Sequence, residues 1–581
     1  MRPAAAVDFQ IRGVPVRLTV TDSLFLGYHA FFEPISPSLG PPYGDPLNPF
    51  AGIERLAQGD NRLPLSRASK TAQAYGDLFH RFNLILSVWR IQAGLRLDTA
   101  LFLNPPVRLD PNNLAAGGCG APCLNRFENR WVSPTGLEKI FVTYTDRHLE
   151  ITLGDFYAVF GRGLVLSVRK VDELAIDTTL LGAKLVYNPG RYKIVALGGV
   201  SNIQNIDEST GRFQADPFDI ILGARIETRL FDKLLVGLHG AGGVLSAPRQ
   251  GPILPASCAP DAPEQCPYST GRLGYGLTLE APRLLPWLDV YLEAAGLENM
   301  RHPLIYPDRQ PRGYALYGSL TAYAGPLTIL FEGKQYSRFE PWAGSTQEGE
   351  FANIAYTLHP TVERVLTEVE DPQSEIGGGR IHLTYRHSAA LSFIVSNGAF
   401  RQGRYGELVL HALTLHDPYG GIMVRWDHGV SHLFVNGGHR YEYDNERDQV
   451  FKHTGWFDWD FIQSLPKNLS IESQGRALFR TRAGEPDWSE GNAYLALKWT
   501  PYLIFAGGLE WTTREINTKE AGVQYLQYAL FPGGFVQYNI TTRSSVRLFA
   551  GGQRGGLKCI SGVCRVFPEF RGVRLEVVLR F

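Results

Sequence analysis

No apolar run long enough to cross a bilayer as a helix, about 18 residues or more, occurs in this chain of 581 residues, which excludes a bundle of membrane-spanning helices. Net charge is missing as well: 57 Lys and Arg balance 57 Asp and Glu. Without a basic field there is nothing to draw in a nucleic acid. Cysteine is scarce at six, with no C-x-x-C to seed a zinc site and no C-x-x-C-H to attach haem. Also absent are G-x-S-x-G, H-E-x-x-H, a Walker A loop and a strand-flanked G-x-G-x-x-G. No enzyme class is indicated, and no cofactor is expected. Met1 to Val7 lacks the apolar core of a secretory signal, so an exported chain of this kind is expected in its mature or a recombinant form.

What the chain does have is 62 Gly, 26 Tyr, 32 Phe and 10 Trp, within a hydrophobic content of 44% and a mean hydropathy of -0.12. Aromatic content this high excludes disorder. A length of this order suggests several soluble domains, because single cores stop growing near about 250 to 300 residues. A large closed barrel is the exception.

Apolar and polar residues alternate with period two in segments of about 9 to 11 residues, the length of a tilted strand that crosses a bilayer. Ile91, Ala93, Leu95 and Leu97 oppose Gln92, Gly94, Arg96 and Asp98; Leu222, Ala224 and Ile226 oppose Gly223, Arg225 and Glu227. A soluble sandwich alternates in the same way, and connection lengths separate the two. Eleven very short connections lie near Arg90, Arg147, Pro189, Asp232, Leu285, Gly325, His387, Gly429, Lys467, Pro501 and Arg543. Twelve longer ones lie between them, centred on 33–75, 104–136, 162–178, 201–218, 246–271, 297–312, 337–378, 400–420, 443–452, 480–491, 512–525 and 555–567. Strict short-long alternation predicts an all-β fold: one antiparallel transmembrane barrel over residues 1–581, with short periplasmic turns and long extracellular loops. The count is about 24 strands, within 22 to 26, because Gly406 to His416 reads either as an extra strand pair or as structured loop. Trp89, Trp287, Trp426, Trp499 and Tyr502 fall beside the short turns, as an interfacial girdle or as ordinary cross-strand packing.

The cysteines form three close pairs in long connections, Cys119 with Cys123, Cys258 with Cys266, and Cys559 with Cys564. The pairs lie too far apart to converge on zinc, and nearest-neighbour bridging closes the shortest loops. Three local disulfides on the outer face, and an oxidising compartment, are the expectation.

The last strand alternates Val573, Leu575, Val577, Leu579 and Phe581 against Arg574, Glu576 and Arg580. With Arg571 and Gly572 before them, Leu575, Val577 and Phe581 resemble the C-terminal insertion signal of bacterial outer-membrane barrels. That resemblance implies outer-membrane lipid and the barrel assembly machinery as partners. A second resemblance covers Gly154 to Gly182, through Gly154-Asp-Phe-Tyr-Ala-Val-Phe-Gly-Arg-Gly-Leu164, Glu173-Leu-Ala-Ile-Asp177 and Gly182. This stretch resembles a family of large, functionally uncharacterised outer-membrane barrels of Bacteroidota and related bacteria. It implies the fold and no activity. Here Gly161 and Gly163 let the backbone kink around Arg162, which then meets Asp177 or Glu173 inside the rim or stays a solvated loop arginine.

The face pointing into the barrel is polar and mixed in charge. Arg96, Asp98, Arg225 and Glu227 are candidates there, with Arg162 and Asp177 at the rim. Asp458 and Asp460 share one strand face, either as a cation site or balanced by basic neighbours across the ladder. His382, His387, His428, His432 and His439 lie near strand ends, where a polar lumen needs hydrogen-bonding groups in any case. No strong ion selectivity is implied by so even a balance. A barrel of this width left open would leak, since barrels of 16 to 18 strands already enclose a channel. No plug domain precedes the first strand near Val16, which disfavours the usual TonB-dependent transporter. Residues 33–75 and 337–378 are therefore expected to fold into or over the lumen. The leading functional expectation is a conduit for hydrophilic or amphipathic solutes. The alternative is a docking barrel that anchors a surface lipoprotein, a cytochrome, a secretion partner or another outer-membrane subunit through its loops.

Overall fold

The computed structural model of the chain describes residues 7–11, 13–29, 75–103, 135–171, 176–206, 216, 218–231, 233–244, 271–299, 312–339, 343–344, 354–363, 375–403, 412–513, 515–518, 523–526, 529–554, 556–560, 563–567 and 570–580. Barrel strands are numbered in chain order. The first eight are β1 Val14–His29, β2 Tyr75–Val88, β3 Ile91–Leu103, β4 Thr135–Thr145, β5 Leu149–Phe156, β6 Thr179–Tyr187, β7 Tyr192–Asn202 and β8 Ile220–Leu230. Next come β9 Leu234–Val244, β10 Gly271–Leu285, β11 Leu288–Asn299, β12 Arg312–Ala324, β13 Leu327–Ser337, β14 Ile376–Arg386 and β15 Leu391–Gln402. Strand β16 is in two pieces, Leu413–His416 and Tyr419–Trp426. The set ends with β17 Ser431–Asp444, β18 Gln449–Leu465, β19 Leu469–Arg482, β20 Trp488–Trp499, β21 Leu503–Thr512, β22 Ala529–Asn539, β23 Ser545–Gln553 and β24 Phe570–Arg580.

Each strand pairs antiparallel with the next, and β24 returns to β1 with Gly572 opposite His29 and Arg580 opposite Thr21. Closure removes every sheet edge, which is what a wall exposed to lipid requires. The fold is an all-β, 24-stranded closed antiparallel barrel. Where β24 stops short of the lower end of β1, a short arm, Val7–Ile11, pairs with Val14–Leu18 instead. All eleven short turns fall where the alternation places them, and so do the twelve connections between them, although the one expected at 443–452 is only the four residues 445–448. Of the doubtful stretch Gly406 to His416 only 412–416 lies among the described residues: Leu413–His416 and Tyr419–Trp426 both lie between β15 and β17 and form one strand broken at Asp417–Pro418. Proline has no N–H to give the ladder, so the break falls where the chemistry requires it.

One side of each strand is apolar and exposed, including Leu222 and Ile226 on β8, Leu238 on β9, Leu292 on β11, Leu316 on β12 and Phe331 on β13. Trp89, Trp287, Trp499 and Tyr502 are exposed at the short-turn end, and Tyr28, Tyr314, Tyr441 and Phe479 towards the long-loop end. Trp426 is partly buried, its indole N–H donating to Gln463 Oε1 at 2.9 Å. No helix among the described residues is long and apolar enough to cross a membrane.

Candidate functional site in the barrel lumen

The connection between β5 and β6 turns into the barrel. Ala158–Phe160 and Leu166–Val168 form a small antiparallel hairpin, and Phe160, Leu164, Val165, Leu166 and Val168 are all buried. Its tip is the Gly161-Arg162-Gly163 turn, closed by Gly163 N–H donating to Phe160 O at 2.9 Å. Both glycines have positive φ, +57° and +100°, and a Cβ on Gly161 would lie 2.4 Å from Glu293 Oε1. Glycine is needed there for backbone sign and for close approach together.

The wall is hollowed to receive this hairpin. Gly223, Ala241, Gly274, Gly276, Ala295 and Ala315 carry almost no side chain on the inner face of β8 to β12, and register sets Gly223 beside Ala241, Ala241 beside Gly274, and Ala295 beside Gly276 and Ala315. Phe160 packs over Gly223, and Val165 over Gly274 and Gly276. The Phe160 and His239 rings are 5.9 Å apart. An apolar core thus runs inside the barrel from the hairpin to Leu197, Ile221, Leu297, Tyr317 and Phe400 of the wall. The lumen is not polar throughout, which the strand alternation alone did not indicate.

A second segment, 354–363, lies against the first. Ser167 N–H donates to Tyr356 O at 2.7 Å and Leu358 N–H to Gly163 O at 2.8 Å. Tyr356 is fully buried, and its hydroxyl donates to Asp219 Oδ2 at 2.6 Å. Burial and the neighbouring Asp219 carboxylate push the Tyr356 phenol well above its ordinary pKa, so it stays a donor. Lys334 on β13 donates to Glu363 at 2.8 Å with both side chains almost fully enclosed. Burial acts to raise the Glu363 carboxyl, but the Lys334 charge and hydrogen bond outweigh it and hold it low.

Asp177, at the end of the inner connection, is pinned to the wall. It accepts from Arg96 Nη1 at 2.8 Å, from the Tyr157 hydroxyl at 2.6 Å and from Lys139 Nζ. Burial again acts to raise its carboxyl; the Lys139 charge, the bonds from Lys139 and Tyr157 and the Arg96 charge together keep it below the usual carboxylate range. Arg96 also grips Asp98 through two bonds of 2.8 and 2.5 Å, and Arg81 reaches Asp98 at 3.2 Å.

The structure therefore brings Arg96, Asp98 and Asp177 into one network and places Arg162 elsewhere. The Arg162 backbone N–H donates to Glu293 Oε2 at 2.7 Å, and its guanidinium lies 4.7 Å from the Tyr291 ring centroid. This differs from a pairing with Asp177, whose oxygens are taken by Arg96, Lys139 and Tyr157. Glu173, the other partner considered, lies outside the described residues. Arg225 pairs with Glu227 on its own strand. Asp458 takes two bonds from Arg476 at 2.8 and 3.2 Å, and Asp460 lies 3.1 Å from His432 Nε2. Asp458 is thus balanced across the ladder by Arg476, while Asp460 has a hydrogen-bond partner there in His432, and among the described residues no cluster suited to a metal occurs. Lys139, Tyr157, Asp219, Tyr356 and Glu363 had not been singled out. A signal for the hairpin was available: Val159, Phe160, Leu164, Val165, Leu166 and Val168 put six large apolar residues into a connection that a solvated loop gains nothing by having.

Gly572, Leu575 and Val577 lie on β24 as the closing strand requires, and Phe581 lies outside the described residues. Segment 33–75, except Tyr75, and most of 337–378 also lie outside them, as do Cys119, Cys123, Cys258 and Cys266. The backbone register of the hairpin Gly556–Ile560 and Val563–Phe567 sets Cys559 opposite Cys564.

The model of a family described as of unknown function (DUF6029) matches residues 117–224, a span that includes the inner hairpin and Asp177. No curated protein matches the chain. Among solved structures, the siderophore receptor PirA of Pseudomonas aeruginosa is similar at 7% identity and a TM-score of 0.43, covering 100% of this chain and 81% of that one. The outer membrane protein opdK of the same organism is similar at 10% identity and a TM-score of 0.35, covering 74% of this chain and 95% of that one. A BenF-like porin of Pseudomonas fluorescens Pf-5 gives 7%, 0.35, 75% and 96%. The strand register of the chain itself establishes the barrel.

Proposed function

We propose that the chain is an outer-membrane conduit for hydrophilic or amphipathic solutes that is narrowed by its own inward connections. Support for the membrane placement comes from the apolar outer belt with aromatic rims at both ends. Support for a conduit comes from width: 24 strands enclose more space than side chains of the wall can fill. The observation that carries the closing role is the inner hairpin, which fills the hollow in β8 to β12 and leans on 354–363. The two segments attach to β3, β4, β11 and β13 through Asp177, Glu293 and Glu363.

Single-channel recording on purified full-length protein in planar bilayers tests this. Replacing residues 158–168 by a Gly-Ser linker of equal length should raise the conductance severalfold, with heat-modifiable mobility unchanged. An equal conductance in a correctly folded variant would remove the closing role. No conductance from either protein, with a co-purifying surface subunit, would favour the docking barrel instead.

A further inference from the structure

The lumen wall made by β22, β23, β24 and β1 contributes nothing to the apolar core that holds the hairpin. Its arginines also differ from the ion-paired ones elsewhere in the barrel. Six lumen arginines elsewhere are clamped by a carboxylate: Arg96 by Asp98, Arg225 by Glu227, Arg380 by Glu332, Arg440 by Glu442, Arg476 by Asp458 and Arg480 by Glu490. Arg547 and Arg574 have no such clamp among the described residues, although Glu576 stands opposite Arg547 in the ladder and the Asp77 and Glu576 carboxylates are near enough to Arg574 for their charges to act on it. They stack on phenylalanine instead. Arg547 Cζ is 3.9 Å from the Phe535 ring centroid, and Arg574 Cζ is 4.5 Å from that of Phe570. Both point inwards, because Leu548 and Val573 on alternate positions are exposed on the outer face.

A guanidinium held by the face of a ring keeps its N–H edge free, which a carboxylate clamp would occupy. The two arginines sit diagonally across the β23–β24 ladder, with Phe549 opposite Arg574, a relation that spans about 7 to 8 Å and is within reach of one small ligand. Around them the surface is aromatic: Phe549 and Phe570 are 5.9 Å apart, and His29 meets Phe570 edge-on at 4.9 Å. His29 is in turn fixed by stacking on Tyr75 at 4.1 Å and by Asp77 at 2.8 Å.

We infer that this wall is a binding site for small organic anions, a carboxylate on an aromatic or apolar body, with Arg547 and Arg574 taking the carboxylate and Phe535, Phe549 and Phe570 the body. The inference rests on the conduit reading for its purpose and gives that conduit a solute class. An even total charge does not argue against it, since the six arginines named above are already paired with carboxylates.

The test is equilibrium binding by calorimetry to the full-length protein in detergent, with 3-phenylpropionate as probe, and 3-phenylpropanol and acetate as controls. The acid should bind at least about tenfold more tightly than either control, since only it engages both guanidinium and ring. Arg547→Gln and Arg574→Gln should each weaken it about fivefold or more, and Phe535→Leu should weaken it while leaving the barrel heat-modifiable. Equal binding of the alcohol would reduce the site to an apolar surface. Equal binding of acetate would reduce it to simple ion attraction, and either result overturns the inference. Binding is read without current, so the two proposals fail separately. An anion-binding barrel that never conducts contradicts the conduit alone, and a conducting barrel that ignores the probe contradicts the site alone.

Discussion

Asp22 and His80 occupy positions that lipid disfavours. Asp22 shares the outer face of β1 with Leu18, Val20, Leu24 and Leu26, and His80 shares that of β2 with Leu78, Phe82, Leu84 and Leu86. They are tied to each other, His80 Nε2 lying 2.6 Å from Asp22 Oδ1. A paired ionisable couple away from water costs little to replace as a pair and much to break. His80→Leu alone should therefore lower the melting temperature of the folded barrel in lipid vesicles, and Asp22→Leu with His80→Leu should return it to the wild-type value or above. A double variant less stable than either single one would show that the pair itself stabilises the wall. At this scale the sequence showed which way a side chain points and little of what it meets. Arg96 and Asp98 stand two residues apart and were legible together; Arg96 with Asp177, and Arg162 with Glu293, are contacts made by the return of distant chain.

Strands were legible because each states its own period and length, and short turns punctuate them at one end. The inner hairpin was not, because loop length alone assigned 162–178 to the outside and passed over the apolar content of 158–168. The hollow that receives it is visible only when register lines up Gly223, Ala241, Gly274 and Ala295 across neighbouring strands. Docking of these inner elements also carries a pH dependence. Asp177 and Glu363 are held below the ordinary carboxylate value in the docked arrangement. Their contribution is therefore complete above the undocked pKa, about 4, and is lost only as pH falls through the lower docked value. The contacts made by Asp177 and Glu363 should therefore hold down to about pH 4 and loosen below it, raising conductance there. A rise already near about pH 6, where histidine titrates, would place the closing contact on a different group.

Across the whole molecule, closure and filling are separate tasks given to separate parts of the chain. Closure depends on β24, which meets β23 on one side and β1 on the other. Deleting Val577 to Phe581 removes four of the nine pairs with β1 and two of the nine with β23, and heat-modifiable barrel in outer membranes should fall sharply; undiminished assembly would mean that β1 closes on β23 without it. Filling depends on the inner hairpin, and its position is the central claim. A Cβ on Gly274 would lie 3.3 Å from Val165 Cγ1, close enough for a disulfide between cysteines at the two sites. The most direct measurement is peptide mapping by mass spectrometry of the Val165→Cys, Gly274→Cys protein, oxidised in intact outer membranes. A peptide pair joined between positions 165 and 274 is the predicted result. Two unlinked cysteines, with position 165 labelled from outside the cell by a membrane-impermeant maleimide, would contradict it.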